Sequence, residues 1–92
     1  MPYLVIAYDV PDNLRRLRLA RILLGALDRV QKSVFEGEVE EGRIARIEER
    51  IRRVVRPEDS VRIYILCAAC QRRIRGIGQG ASVREPVDFW VV

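Results

Sequence analysis

Two groups of residues in this chain have side chains suited to chemistry. Asp9 closes an apolar run, YLVIAYD, and Arg15, Arg16 and Arg18 follow it in DNLRRLRLARIL. Cys67 and Cys70 form a single CAAC pair. The chain has no histidine, which excludes Ser-His-Asp and Cys-His nucleophile systems, imidazole general bases and His-ligated zinc. Chemistry must then run on carboxylates, a metal ion, or backbone and guanidinium electrostatics. One Cys pair without a second pair or a histidine cannot close a tetrahedral zinc site within the chain. Cys67 and Cys70 therefore read as small residues at a strand end, with a zinc shared across a dimer as the alternative.

An acid at the end of a buried strand needs a reason to be there. Asp9 either pairs with Arg16 or assists the following helix N-terminus, or it faces a second Asp9 across a dimer axis. Two carboxylates in one semi-buried cleft repel unless something neutralises them. A hard divalent cation such as Mg²⁺ does so, takes phosphate oxygens as well, and activates a bound water. Arg16 and Arg18 would then hold the flanking phosphates.

The composition suits such a partner. Seventeen basic residues against thirteen acidic give a net charge of +4, a mild bias toward polyanions. Lys32 is the one lysine, so sixteen of the seventeen are arginines, planar forks that grip phosphate in bidentate fashion. A compositional bias of the source genome or a thermophilic host is the other explanation. No apolar run reaches the roughly 18 residues that span a bilayer, and no charged leader precedes a hydrophobic segment, so a cytoplasmic protein with no membrane partner is expected.

The elements that must position Asp9 follow from periodicity. Tyr3 to Val10 is apolar on both faces, as a central strand would be, and Pro11 ends it. Asp12 or Asn13 caps a helix running to about Leu27. On its wheel Leu17, Ala20, Leu24 and Leu27 share an arc widened by Leu19, Leu23 and Ala26, with Arg18, Arg21 and Asp28 opposite. Arg16 lies on the apolar side, in the first turn, aimed back at the strand end.

Val30–Gln31 and Val34–Val39 read as two strands joined by a tight turn at Lys32 and Ser33. A second helix, about Glu41 to Val55, repeats Ile44, Ile47, Ile51 and Val54 on one stripe, and its arginines read as an ordinary solvated face. DSVRIYIL alternates as a half-buried strand. A weak strand is expected around Ile74 to Ile77. GIGQG lacks the Lys-Ser/Thr and strand-to-helix context of a phosphate loop and reads as a turn.

VDFWVV closes the chain as an apolar strand. The order β-α-β-β-α-β, with an extra C-terminal strand, predicts an α+β ferredoxin-like sandwich with both helices on one sheet face. Residues 1–92 read as one domain. A chain this short is poor in core, and DFWVV is a sticky terminus. The expectation is a homodimer with facing sheets and residues 87–92 crossing to the partner.

IAYDV with DNLRRLRLARIL, then RVQKSVFEGEV, a basic helix and EDSVRIYIL, in this order, resembles the Cas-two family, small CRISPR-associated proteins found beside the spacer-acquisition integrase. The resemblance covers about the first seventy residues and extends more loosely to the end. It implies ferredoxin-like homodimers with facing strand-end aspartates that act in antiviral defence as metal-dependent endonucleases on RNA or DNA. It also implies a bridge between two integrase dimers that holds duplex DNA. Carried over, the catalytic metal ligand for Mg²⁺ or Mn²⁺ is Asp9, with Tyr8 beside it and Arg16, Arg18, Arg29 and Phe35 in support. Arg15, Arg16 and Arg18 are the expected nucleic-acid contacts. Ile65 stands where the family often has proline, and Lys32 where an aromatic is common; both departures concern loop detail. Three functions follow: the nuclease, a non-catalytic DNA-binding scaffold for the integrase, and a toxin-type endoribonuclease that acts without it.

Overall fold

Alternating burial along the first strand sets the architecture. The computed structural model describes residues 1–78. β1 (Tyr3–Asp9) turns Leu4, Ile6 and Tyr8 into the core, and Val10 follows them just past its end. Tyr3, Val5, Ala7 and Asp9 fall on the opposite face, because successive side chains of a strand alternate. The Asp12 carboxylate accepts the Arg15 backbone N–H at 2.9 Å and so caps α1 (Asn13–Leu24), satisfying one of its orphan donors. Then come β2 (Asp28–Gln31), β3 (Val34–Glu38), α2 (Glu41–Val54), β4 (Ser60–Leu66) and a short α3 (Ala68–Gln71).

The sheet order is β2-β3-β1-β4 with every neighbouring pair antiparallel. This is the expected ferredoxin-like α+β arrangement, with β1 central. Leu19, Ala20 and Leu23 of α1 and Ile44, Ile47 and Ile51 of α2 pack in one core with Leu4, Ile6 and Phe35. Each fully buried Leu, Ile or Phe contributes about 1.5–3 kcal/mol. Gly37 faces the same side of β3 as Phe35, and Leu27 packs over it: a Cβ there would sit 3.4 Å from the Leu27 side chain, at ordinary contact distance. On the other face the Tyr3 hydroxyl donates to the buried Glu36 carboxylate at 2.8 Å.

Several local expectations are corrected. α1 stops at Leu24, and Leu27 reaches the core from the turn beyond Gly25. Leu17 and Leu24, assigned to the buried arc, are each 55% exposed. Leucines surround this helix, and packing selects the side where small Ala20 allows close approach to the sheet. β2 begins two residues before Val30, because Asp28 and Arg29 pair with Glu36 and Phe35.

The CAAC segment is a turn of helix rather than a strand end. No strand forms at Ile74–Ile77 within the described residues. The Arg72, Arg73 and Ile74 N–H groups instead donate to the carbonyls of Ala68, Cys70 and Gln71, and Ile77 is 96% exposed, so no burial rewards pairing there. The expected strand at 87–92 and the last two residues of GIGQG lie outside the described residues.

Candidate functional site

The first turn of α1 and the β2–β3 turn wall a groove of about 910 Å³ at the end of β1, where Asp9 is flanked by Arg16, Arg29, Lys32 and Ser33. The Tyr8 N–H donates to the Ser33 carbonyl at 3.0 Å, which ties the hairpin turn to the strand end. As its wheel position predicts, Arg16 reaches back. Its guanidinium donates to the carbonyls of Val10 and Pro11, at 2.8 and 2.9 Å, and to the Asn13 side chain. An Asp9–Arg16 ion pair does not form. Among the described residues, the exposed Asp9 carboxylate has no ion pair and no hydrogen bond.

Arg29 is fixed from two sides. Its Nε and Nη2 donate to the Lys32 carbonyl, the former at 3.0 Å, and its guanidinium lies 5.4 Å from the Phe35 ring centroid. Phe35 is fully buried and stacks on Tyr8 with centroids 6.2 Å apart. Phe35 is thus a buried plate that supports Tyr8 and aligns Arg29, a contact worth about 0.5–1 kcal/mol where the cation is exposed. Tyr8, Asp9, Arg16, Arg29 and Phe35 are therefore brought together.

Arg15 and Arg18 are carried elsewhere, because successive helical positions turn by about 100°. Arg15 forks onto Asp59 at 2.7 and 2.9 Å and reaches Glu58 at 3.3 Å, joining α1 to the approach to β4. The Asp59 side chain is fully shielded from solvent and also accepts the Arg56 N–H. The Arg15 hydrogen bonds, ahead of the N–H of Arg56, hold its carboxyl below the usual carboxylate range.

Arg18 lines a second groove, of about 360 Å³ between α1 and α2, with Arg21, Arg50 and Arg53 around an apolar floor of Ile22 and Val54. Among the described residues no carboxylate lines it. Arg53 meets Glu49 at 3.5 Å in an exposed i,i+4 pair, the kind worth little in water. Arg21, Arg50, Arg53 and Lys32 were not among the residues singled out in the sequence. For Lys32 the signal was its place in the turn facing the strand end. Arg50 and Arg53 gave none, since only the crossing of the two helices sets them beside Arg18.

The donor set fixes the kind of ion that would suit the strand end. Among the described residues Asp9 is the one carboxylate lining the groove, and they hold no cluster of three His, Cys, Asp or Glu side chains. One such carboxylate per chain would suit Mg²⁺ or Mn²⁺, which take one or two carboxylates and complete their shell with waters and substrate phosphate. It does not fit a metal that needs a full cage of protein ligands. Among the described residues no helix is long and apolar enough to cross a membrane.

Residues 1–74 match the family model for CRISPR associated protein Cas2. The chain is 34% identical over 92 residues to CRISPR-associated endoribonuclease Cas2 1 of Chloroflexus aurantiacus, an alignment covering 98% of this chain and 99% of that one. Its fold is similar to the crystal structure of Streptococcus pyogenes Cas2, with a TM-score of 0.73 and 29% identity over 83% of this chain and 99% of the other. It is also similar to a chain of a partial Cas6-RT-Cas1–Cas2 complex, with a TM-score of 0.75 and 27% identity over 92% and 99% of the two chains. By sequence and by fold, this chain belongs to the CRISPR-associated Cas2 family.

Proposed function

We propose that two copies of the chain pair through the sheet face that carries Val5, Ala7 and Tyr64. Asp9 of each copy then approaches the other, and the paired site hydrolyses phosphodiester bonds of RNA or DNA. The observation that carries this reading is the exposed Asp9 carboxylate, without a partner among the described residues and lining one groove with Arg16, Arg29 and Lys32. It shares its face with Val5 and Ala7, which are half-buried, and with Tyr64, which is 44% exposed. The Chloroflexus relative is named an endoribonuclease, which supports the reaction class.

A hard divalent cation bound by the two carboxylates would neutralise phosphodiester charge and supply an activated water. Arg16, Arg29 and Lys32 hold the phosphates on either side. Arg16 is pre-set by its grip on the Val10 and Pro11 carbonyls, so little rotamer freedom is lost when it binds. Among the described residues no second carboxylate of the same chain lines the groove as a general base, so slow turnover is expected.

On single-stranded RNA and duplex DNA, Asp9→Asn should lower cleavage roughly 100-fold or more, the scale of several kcal/mol of lost charge stabilisation. EDTA should abolish wild-type cleavage, and duplex binding should survive the substitution. Equal cleavage by wild type and variant would overturn the reading.

A second reading rests on the groove of Arg18, Arg21, Arg50 and Arg53. Four guanidinium groups with no lining carboxylate among the described residues suit a phosphate backbone, read without regard to sequence. The similarity to a chain of a Cas6-RT-Cas1–Cas2 complex supports a chain that assembles with an integrase partner, and in this reading the basic groove holds duplex DNA for that integrase in spacer acquisition. Its affinity should fall linearly in log salt, and Arg18→Ala or Arg53→Ala should each lower that slope by about 1. A toxin-type endoribonuclease would cut RNA but capture no integrase in a pull-down, and that separates it from both.

A further inference from the structure

The CAAC pair is used by neither reading. Cys67 and Cys70 are free and exposed, and neither belongs to the core, so packing does not account for them. They lie on one turn at the exit of β4, three residues apart. The Cys67 sulfur accepts the Cys70 backbone N–H at 3.5 Å. At this spacing on a helical turn Cβ atoms lie roughly 5–6 Å apart, a small closure away from the roughly 3.5–4.5 Å of a disulfide. A zinc site would need two further ligands, and the described residues hold no cluster of three. Two adjacent, accessible thiols with no third ligand among the described residues suit exchange rather than coordination.

We propose that Cys67 and Cys70 form a thiol–disulfide site that reacts with low-molecular-weight disulfides, with Cys67 as the attacking sulfur and Cys70 as the resolving one. The two thiols are set in opposite directions. Hydrogen bonds from the Cys70 N–H and thiol draw the Cys67 pKa down, and donation to Cys67 pushes Cys70 up. The thiolate is the nucleophile in exchange, so Cys67 reacts first.

The Cys67 thiolate attacks one sulfur of RSSR. A Cys67–S–S–R bond forms, the original S–S bond breaks, and RS⁻ leaves with the electron pair and takes a proton from water. Cys70 then gives its proton to solvent, and its thiolate attacks the Cys67 sulfur. The Cys67–Cys70 disulfide forms and the second RSH is released. The dithiol loses two electrons and RSSR gains them as two thiols. The bridge staples the turn through which the chain leaves β4.

The test is intact mass of the full chain, reduced and then exposed to glutathione disulfide. Wild type should end lighter by two hydrogens with no adduct, and dithiothreitol should restore it. Cys70→Ser should stop at one glutathione adduct. Cys67 in that variant should react at least about tenfold faster than Cys70 in Cys67→Ser. Both exchanges sit on the surface, and an unchanged circular dichroism spectrum separates a chemical effect from misfolding. A wild type that accumulates stable glutathione adducts, equal rates in the two single variants, or a tightly held zinc that blocks both thiols would overturn the proposal.

Discussion

Arg15, Arg16 and Arg18 are near neighbours in the chain, yet they reach three different surfaces. Arg16 grips the main chain at the strand end, Arg18 joins the arginines of α2, and Arg15 forks onto a shielded Asp59. Sequence reading placed Arg16 correctly, because a first-turn cation on the apolar side of a wheel has one direction to point. It grouped all three as phosphate contacts, because nothing within the LRRLRL stretch signals an acid 44 residues away. The Arg15–Asp59 contact has a pH signature. The folded-state pKa of Asp59 lies below its unfolded value, so the unfolded chain binds the proton more readily and stability rises with pH across that window. The contribution is complete above the ordinary carboxylate value of about 4 and is lost as pH falls through the lowered one. Asp59→Asn should therefore lower the melting temperature at neutral pH and flatten its decline in acid. Glu58→Gln should do much less, since Glu58 is exposed and reached at 3.3 Å.

At the scale of elements, legibility followed the clarity of each apolar pattern. α2 has one isoleucine stripe against charge on every other side, and Ile44, Ile47 and Ile51 are buried as its spacing requires. α1 has leucines around most of its circumference, so its wheel offered more than one plausible face, and the sheet selected Leu19, Ala20 and Leu23. Adjacent leucines give a direct check. Leu23 is fully buried and Leu24 is 55% exposed, so Leu23→Ala should cost about 2–5 kcal/mol in urea unfolding and Leu24→Ala under about 0.5 kcal/mol. The residues after β4 were the least legible. CAACQRR and the isoleucines that follow have β-branched and small residues but no alternation, and local hydrogen bonds at Ala68, Cys70 and Gln71 decide the turn.

For the whole molecule, strand order was legible from element order, because β-α-β-β-α-β with short connections permits few sheets. The basic groove between α1 and α2 was not, since it exists only where two helices distant in sequence cross. The dimer is the step on which the nuclease reading depends. A monomer offers a cation one carboxylate, and two chains related by a two-fold axis offer a pair. The most direct measurement places a spin label on Asp9→Cys in a Cys67→Ser/Cys70→Ser background and records dipolar broadening in the purified protein. The account predicts strong broadening that disappears when labelled chains are diluted with unlabelled ones. A spectrum that shows no such coupling and does not change on dilution would contradict it.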